Sequence, residues 1–424
     1  MSSKKIHFIG IGGIGVSAVA RMFLRGKKTV SGSDIARSEI TKALEKIGAK
    51  IYYRHSGKNL KAADLVVYSP AVAENNPELI KARKLGIRTF SYPEMLGAIS
   101  KDKYTIAVSG AHGKTTTTAM VGMMLRDAKL DPTIIVGSLL REEKSNFVAG
   151  RSKYFVVEAC EYKRSFLNIN PKIAIITNID NDHLDYYKSV KNIQKAFGEF
   201  AAKLGKDGYL ICNPNGKYMK PVVKIAKCEI IDYTKLPRDF KLKVIGEHNL
   251  DNAQAAFAVG KMLGIRENTI RKSLENFSGT WRRFEYKGKT KNGVLVYDDY
   301  GHHPAEIKAT LKAVREAFAN KKIFCVFQPH LYSRTKLLMN DFAKSFNDAD
   351  AVIVMDIYAA REKNDGTSSA DLVKKTQKYH KNARYAENFS KAAKILIAET
   401  KKGDLVITMG AGDVYKIGEQ FTSF

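Results

Sequence analysis

Residues 104–128 read YTIAVSGAHGKTTTTAMVGMMLRDA, and this stretch decides how the surrounding chain folds. An apolar run suited to a buried strand ends at Gly110, a short loop follows, and a helix-like stretch begins after Gly113. Glycine permits the tight turn, and backbone N–H groups at the start of a helix can bind phosphate. Lys114 can reach the β- and γ-phosphates of a nucleoside triphosphate, and the Thr115 hydroxyl can bind Mg²⁺. The stretch therefore predicts a phosphate-binding strand, loop and helix.

This loop has two residues between its glycines, whereas the common phosphate loop has four. The strand before it, the helix after it and a run of four threonines nevertheless favour an ATP site with Mg²⁺ as the cofactor. The predicted ATP-binding residues of the loop are Gly110, Ala111, His112, Gly113, Lys114, Thr115 and Thr116.

A bound metal ion also needs carboxylate or imidazole ligands near the phosphate loop. The strand-like run YFVVE ends at Glu158, and the strand-like run IAIITNI leads into a loop that contains His183. Because ligands bind at the carboxyl ends of parallel strands, both side chains are expected beside the phosphate loop. We predict Thr115, Glu158 and His183 as metal ligands, and Lys114, Glu158 and His183 as catalytic residues.

The regions on either side also alternate short apolar runs with amphipathic stretches, which is typical of β-α-β units and parallel sheets. A length of 424 residues predicts more than one domain, because single cores stop growing near about 300 residues. We predict an α/β protein with a Rossmann-like domain at residues 1–102, a central ATP-binding domain at 103–286 and a second Rossmann-like domain at 287–424. The central domain should contain a parallel sheet like that of phosphate-loop ATPases.

A second glycine loop lies near the N-terminus. Gly10, Gly12 and Gly15 follow a predicted strand in the spacing GxGxxG, and Asp34 ends the next strand 19 residues beyond Gly15. This pattern predicts a nucleotide diphosphate at the helix N-terminus, with the acid accepting a ribose hydroxyl. It does not specify which nucleotide, and NAD is the most frequent ligand of such loops.

The net charge of +28, from 71 Lys and Arg against 43 Asp and Glu, raises the question of nucleic-acid binding. The basic residues are spread along the chain and never form a run of five. We therefore predict a lysine-rich solvated surface and no nucleic-acid partner. Such a surface would attract polyanionic small-molecule substrates.

The four cysteines form no CxxC pair, so neither structural zinc nor a disulfide framework is expected. No apolar run reaches the roughly 18 residues of a membrane-spanning helix. We predict a cytoplasmic protein without membrane insertion, present as a monomer or weak homodimer.

The chain resembles the Mur ligase family along essentially its whole length. The resemblance is carried by eleven motifs in order: GIGGIG with SGSD; NPE at 76–78; PEML at 93–96; GAHGKTTTT; EACEYKRSFL; TNIDNDHLD; GEHNLDNAQAA; WRRF; DDYGHHPAEI; FQPHLYSRT; and MGAG at 409–412. It implies ATP-dependent joining of L-alanine to UDP-N-acetylmuramate through an acyl phosphate, in the synthesis of peptidoglycan precursors.

The resemblance also implies roles for individual residues. In the N-terminal domain it implies binding of UDP rather than NAD, by Gly10, Gly12, Gly13, Gly15, Asp34, His55 and Ser69. It implies further contacts to ATP from Asn249, Asn252, Arg283 and one of Asp298 and Asp299. It implies a pocket for the amino acid and the acyl phosphate at Tyr300, His302, His330 and Arg334, of which the last two join the catalytic residues.

Three positions depart from the family pattern. Cys160 replaces an acid in EACEY, Ala111 replaces the usual threonine or serine of the phosphate loop, and Leu331 replaces an expected arginine. The loss of a cation at Leu331 leaves open a ligase that adds a whole peptide to the same sugar nucleotide. Two alternatives from other classes are an NAD-linked oxidoreductase, based on the first glycine loop, and a nucleic-acid-stimulated ATPase, based on net charge.

Overall fold

The computed structural model describes residues 3–360 and 362–423, which contain three helix-covered sheets that are mostly parallel. This architecture confirms the predicted α/β fold class. The chain forms two compact units. The first runs to Lys241 and resumes at Leu250–Ser278, and the second comprises Leu242–Asn249 and the chain from Gly279 onward.

The N-terminal sheet has five parallel strands in the order β3-β2-β1-β4-β5. Its strands are β1 Lys5–Ile9, β2 Thr29–Ser33, β3 Lys50–Tyr52, β4 Leu65–Tyr68 and β5 Arg88–Ser91. Its helices are α1 Ile14–Arg25, α2 Glu39–Lys46, α3 Pro77–Lys84 and α4 Tyr92–Ser100, with a short 3-10 helix at Gly57–Leu60. The order reverses direction between β1 and β4, and ligands of open α/β sheets bind at such a switch point.

The central sheet has seven strands in the order β12-β11-β10-β6-β9-β7-β8, all parallel except the β7–β8 hairpin. Its strands are β6 Tyr104–Ser109, β7 Thr133–Leu140, β8 Ser145–Val148, β9 Tyr154–Glu158, β10 Ile173–Ile176, β11 Tyr209–Cys212 and β12 Glu229–Asp232. Its helices are α5 Lys114–Asp127, α6 Leu184–Tyr187, α7 Val190–Ala202, α8 Lys220–Ile225, α9 Glu247–Met262 and α10 Glu267–Asn276, with 3-10 turns at Tyr162–Asn168 and Tyr233–Lys235.

The C-terminal sheet has six strands in the order β13-β14-β18-β15-β16-β17, and only the β13–β14 pair is antiparallel. Its strands are β13 Glu285–Lys289, β14 Leu295–Asp299, β15 Ile323–Phe327, β16 Ala351–Met355, β17 Ala383–Ala386 and β18 Leu405–Met409. Its helices are α11 Pro304–Ala317, α12 Tyr332–Leu337, α13 Met339–Ala343, α14 Ser369–Thr376, α15 Phe389–Glu399 and α16 Tyr415–Phe421.

Of the two predicted domain boundaries, one falls between secondary-structure elements and the other falls inside a strand. The break predicted near residue 102 lies between the end of α4 and the start of β6. Residue 286 lies inside β13, whereas the second compact unit already includes the chain from Gly279. The boundaries themselves stay predictions.

Within the first unit, the helix that follows the N-terminal glycine loop packs on the central domain. Helix α1 contacts strands β7 and β8, and the buried Asn146 donates hydrogen bonds from Nδ2 to Ile14 O and, at 2.9 Å, to Ser17 Oγ. Apolar side chains from both regions form one continuous cluster that includes Phe8, Phe166 and Phe200. The N-terminal and central sheets therefore share a core.

Among the described residues, no helix combines the length and apolar character that a membrane crossing requires.

We expect Phe166→Ala to destabilise the first unit by about 3–5 kcal/mol, the usual cost of truncating a fully buried phenylalanine. The Phe166 ring is 0% exposed and stacks on Phe200 with their centroids 4.7 Å apart. The free energy of unfolding should be measured by urea titration. Ile47→Ala is a matched control, because Ile47 is 50% exposed. Equal effects of the two substitutions would contradict this view of the core.

Candidate active site

The phosphate loop lies between two other strand ends of the central sheet. In the register of the sheet, Ser109 at the end of β6 is paired with Ile176 of β10, and Val108 is paired with Glu158 of β9. Gly113 has a φ of +82°, which glycine adopts without strain, and it precedes the first residue of α5, Lys114. The loop thus opens directly onto a helix N-terminus, where free N–H groups favour an anion.

The loop is held in shape by the segment that follows β10. Asn178 accepts hydrogen bonds from the backbone N–H of Ala111 at its carbonyl oxygen (3.1 Å) and from that of His112 at Oδ1 (2.9 Å). The Thr177 hydroxyl donates to His112 O at 2.6 Å. On the helix side, Asn252 Oδ1 accepts from Thr117 Oγ1 at 3.0 Å. The loop conformation is therefore fixed by protein contacts.

Lys114 is paired with a buried acid that the sequence analysis did not select. Its Nζ donates to Glu161 Oε1 at 3.0 Å and to the carbonyl oxygens of Gly110 (2.5 Å) and Ala111 (3.0 Å). Burial by itself lowers the pKa of Lys114, but the negative charge of Glu161 outweighs burial and raises it above the usual lysine value. Burial likewise raises the pKa of Glu161, and the Lys114 charge reverses this to a lowered pKa. Both groups are ionised at neutral pH.

Glu161 of this ion pair and two nearby side chains could together hold a metal ion. One oxygen or nitrogen atom from each of Glu161, Asp182 and His183 lies within 4.8 Å of the others. Glu161 Oε2 is buried, and no hydrogen bond reaches it from the described residues. A buried carboxylate oxygen in this state is poorly solvated, so a cation would stabilise it. Two carboxylates and an imidazole therefore fit a divalent cation.

Only His183 of this cluster was predicted as a metal ligand. The predicted ligand Glu158 instead accepts a hydrogen bond at Oε2 from the Gly137 N–H, at 2.8 Å, and it is not a member of the cluster. Thr115 is the buried second residue of α5, next to Lys114. The signal that could have found Glu161 is its place in EACEY, three residues beyond the end of β9.

In the N-terminal sheet, the first glycine loop is closed by Asp34. Asp34 Oδ2 accepts the Gly12 N–H at 2.8 Å, and Oδ1 accepts the Ile35 N–H at 2.8 Å. A β-carbon at position 12 would lie 2.9 Å from Asp34 Oδ2, which explains the glycine. Ser69 lies against Gly10: a β-carbon added at position 10 would be only 3.0 Å from the β-carbon of Ser69. Asp34, which was predicted to accept a ribose hydroxyl, thus also holds the glycine loop in shape.

His55 belongs to a buried polar network around Glu78. Glu78 Oε2 accepts from Ser33 Oγ at 2.5 Å and lies 3.1 Å from His55 Nδ1, while Oε1 accepts from Asn59 Nδ2 at 2.6 Å. Burial raises the pKa of Glu78, but hydrogen bonds from His7, Ser33 and Asn59 outweigh it and lower the pKa to about 2. An ionised carboxylate therefore holds His55 beside the end of β2.

In the second unit, the four predicted pocket residues lie in one chain of contacts. The rings of Tyr300 and His302 are 5.3 Å apart, and those of His302 and His330 are 6.0 Å apart. Arg334 Nη1 lies 3.3 Å from His330 Nδ1. The His330 ring also stacks on Tyr358 at 5.8 Å. The structure thus brings together all four side chains that the sequence assigned to one pocket.

His330 is neutral in this arrangement. Burial, followed by the electrostatic effects of His302 and Arg334, lowers the pKa of His330 to about 3. Arginine only donates hydrogen bonds, so His330 Nδ1 accepts and the ring proton lies on Nε2. His330 therefore presents an N–H donor and is too weak a base to take a proton at neutral pH. Leu331, the position of the missing arginine, has a φ of +72° and is the N-cap residue that precedes α12.

The two aspartates predicted near the nucleotide both support local structure. Asp298 accepts from Arg282 Nε at 2.7 Å and from Thr408 Oγ1 at 2.6 Å, and it is fully buried. Asp299 accepts the N–H groups of Phe284 and Gly301, both at 2.8 Å. Arg283 remains partly exposed, with its guanidinium 5.4 Å from the Tyr300 ring centroid. Of the two arginines in the WRRF segment, Arg283 is therefore more accessible to a nucleotide than the buried Arg282.

Asn249 and Asn252 fall in different compact units, although both lie on α9. Asn252 contacts the phosphate-loop helix, as described above, whereas Asn249 donates from Nδ2 to Ile245 O at 2.6 Å.

Three family models match the chain in succession. The Mur ligase family catalytic domain matches residues 5–104, the Mur ligase middle domain matches 108–239, and the Mur ligase glutamate ligase domain matches 282–412. The UDP-N-acetylmuramate–L-alanine ligase of Clostridium novyi (strain NT) is 45% identical over 448 aligned residues, covering 99% of this chain and 97% of that protein. The chain belongs to the Mur ligase family. It is an ATP-dependent ligase, and the resemblance inferred from the eleven motifs is confirmed.

Solved structures agree with this Mur ligase assignment. The UDP-N-acetylmuramate–alanine ligase MurC of Thermotoga maritima is 30% identical, has a TM-score of 0.84 and covers 98% of each chain. A murein peptide ligase of Psychrobacter arcticus 273-4 is 23% identical, has a TM-score of 0.73 and covers 99% and 98% of the two chains, which shows a likeness of fold. These similarities do not favour the three alternatives, which were an oxidoreductase, a nucleic-acid-stimulated ATPase and a peptide-recycling ligase.

We expect the acid stability of this Mur ligase to depend on Glu78. Its pKa is about 2 in the folded protein and ordinarily 4.5, so between these pH values the unfolded chain binds more protons than the folded chain. The free energy of unfolding should therefore fall by about 3 kcal/mol from this group as pH falls from 4.5 to 2. Urea titrations from pH 6 downward should show a smaller loss in Glu78→Gln.

Glu229→Gln, at an exposed glutamate, is the control for this pH experiment. A pH dependence in Glu78→Gln as steep as in the wild type and the control would show that Glu78 is not the titrating group.

Proposed function

We propose that this chain joins the lactyl carboxylate of UDP-N-acetylmuramate to the amino group of L-alanine at the expense of ATP. The observation that carries the proposal is the ionised Lys114, held by Glu161 at the mouth of the phosphate loop and next to a donor set suited to a divalent cation. The named relative at 45% identity over 99% of the chain supports this choice of substrates.

In this proposal the triphosphate of ATP lies on the N-terminus of α5. Lys114 exchanges part of its contact with Glu161 and the loop carbonyls for the β- and γ-phosphates, whose negative charge attracts it. Asn252 supports the loop, and Asn249 and Arg283 are proposed as further contacts to the nucleotide. Asp298 and Asp299 act indirectly, because their oxygens already hold Arg282 and the backbone of the WRRF segment.

We propose Mg²⁺ as the cofactor of this ATP site. The residues that would hold it are Glu161, Asp182 and His183, with Thr115 and Glu158 as the further candidates from the sequence. When bound, a divalent cation neutralises phosphate charge that develops during phosphoryl transfer.

The N-terminal sheet is proposed to bind the UDP group. The loop from Gly10 to Gly15 presents the N-terminus of α1 to the diphosphate, and Asp34 keeps that loop closed by accepting the Gly12 N–H. His55 and Ser69 lie around the same sheet end, and His55 is held by the ionised Glu78.

The chemistry divides into two displacements. A carboxylate oxygen attacks the γ-phosphorus of ATP, the bond from this phosphorus to the β–γ bridging oxygen breaks, and ADP leaves. The amine nitrogen then attacks the acyl carbon, the bond from this carbon to the phosphate oxygen breaks, and inorganic phosphate leaves while the nitrogen loses a proton. Tyr300, His302, His330 and Arg334 are proposed to orient the amino acid and the acyl phosphate. His330 acts there as a hydrogen-bond donor, since its pKa of about 3 excludes a general base at neutral pH.

We further propose a cytoplasmic location and a monomer or weak homodimer as the working state.

We expect phosphate release from ATP to require both UDP-N-acetylmuramate and an amino acid, with L-alanine preferred over glycine, serine and a muropeptide tripeptide. Lys114→Ala should lower kcat by at least about 100-fold, because it removes a charge aimed at the transferred phosphoryl group. Lys129→Ala, at an exposed lysine beyond the end of α5, should retain wild-type activity. Phosphate release without the sugar nucleotide, or undiminished synthesis in Lys114→Ala, would overturn the proposed function.

We expect Asp182→Asn to weaken the binding of Mn²⁺, used as a spectroscopic probe for Mg²⁺, by about tenfold or more. Free Mn²⁺ should be measured by electron paramagnetic resonance in the presence of a non-hydrolysable ATP analogue. Asp207→Asn, at an exposed aspartate beside β11, is the control and should bind Mn²⁺ as the wild type does. An unchanged affinity in Asp182→Asn would remove Asp182 from the proposed metal site.

A further inference from the structure

Tyr92 occupies a fixed position at the start of α4, within a motif that the proposed function leaves unexplained. Ser91 caps this helix, since its side chain accepts the Glu94 N–H and the Glu94 carboxylate accepts the Ser91 N–H at 2.7 Å. Pro93 follows Tyr92 and restricts the backbone of the first turn. The capping box therefore sets the direction of the Tyr92 side chain.

The Tyr92 ring lies directly against the last glycine of the N-terminal glycine loop. A β-carbon at position 15 would be 2.5 Å from Tyr92 Cζ and 2.8 Å from its hydroxyl oxygen. Gly15 is the second residue of α1, and the start of this helix is held from the central domain by Asn146. The absence of a side chain at Gly15 thus leaves room for a tyrosine at the proposed diphosphate site.

The helix that begins at Tyr92 also packs on the central domain. Helix α4 contacts the 3-10 turn at Tyr162–Asn168, and Tyr92 packs against the apolar cluster that the N-terminal and central sheets share. Burial, followed by the negative charge of Glu158, raises the pKa of Tyr92, so its hydroxyl stays protonated. Glu158 is itself kept in place by the Gly137 N–H on β7. Among residues 3–360 and 362–423, none forms a hydrogen bond with the Tyr92 hydroxyl. The Tyr92 hydroxyl is therefore an uncharged donor that lies beside the glycine loop and within electrostatic reach of Glu158.

The substrate supplies an acceptor of the right kind. In the proposed function its carboxylate has to reach ATP at the phosphate loop. Glu158 ends β9 and is paired with Val108 of β6, just before that loop. Two carboxylates repel each other in a partly buried site unless a donor or a cation lies between them. A tyrosine hydroxyl gives a hydrogen bond to the incoming carboxylate and adds no negative charge of its own.

We propose that the Tyr92 hydroxyl donates a hydrogen bond to the reacting carboxylate of the sugar nucleotide and positions it between the glycine loop and the phosphate loop. This inference rests on the proposed function, because it assumes a substrate with a diphosphate and a lactyl carboxylate.

The test compares two ligands that differ in the lactyl group. UDP-N-acetylmuramate carries the carboxylate, and UDP-N-acetylglucosamine has the same diphosphate without it. We expect Tyr92→Phe, which retains the ring against Gly15, to weaken binding of UDP-N-acetylmuramate by about tenfold or more, the usual effect of losing a hydrogen bond to a charged group. Binding of UDP-N-acetylglucosamine, the KM for ATP and the thermal midpoint should stay within about twofold or a few degrees of the wild type.

Tyr104→Phe is the matched control, because Tyr104 begins β6 at the opposite end of that strand from the phosphate loop. An equal loss of affinity for both nucleotides in Tyr92→Phe would overturn the inference, since it would indicate a contact to the diphosphate or a general effect on the loop. No loss for either nucleotide would overturn it as well. A wild-type enzyme that shows no sugar-nucleotide-dependent phosphate release would instead refute the proposed function, so the two failures are distinguishable.

Discussion

The register of the central sheet is the constraint on which the ATP site depends. Because β9, β6 and β10 are adjacent and parallel, their carboxyl ends lie at one edge, and the loops that leave them must meet there. The loop after β6 leads to Lys114 at the start of α5, the segment after β9 contains Glu161, and the segment after β10 contains His183. A change of strand order would separate these side chains, whatever their identity.

Burial then sets the ionisation state of each group. Lys114 and Glu161 remain charged inside the protein because each provides the charge that compensates the other. Glu78 remains ionised because several donors surround it. His330 is neutral because burial, followed by the effects of His302 and Arg334, lowers its pKa. Lys114, Glu161 and Glu78 are thus ionised, whereas His330 is neutral and can only form hydrogen bonds. This difference limits the chemical role that each side chain can have.

The sequence predicted those site residues whose position follows from local pattern. Lys114 and the glycines beside it were found because a phosphate loop needs a strand, a turn and a helix in immediate succession. Glu161 was missed because it lies beyond the end of β9, in a turn where Lys163 and Arg164 adopt positive φ values, and strand periodicity stops before it. Asp34 was predicted to bind a ribose, and this role stays a prediction. The structure adds that Asp34 closes the glycine loop, since its oxygens accept backbone N–H groups.

The sequence by itself determined the α/β class, the phosphate loop, the glycine loop and membership of a ligase family, because each depends on residue types at short, fixed spacings. Only the tertiary structure decided which acid pairs with Lys114, which oxygens already have hydrogen-bond partners, and that Tyr92 packs on Gly15. These facts depend on strand order and on the packing of α1 against the β7–β8 hairpin. Contacts of this kind join residues far apart in the chain, and no local spacing specifies them.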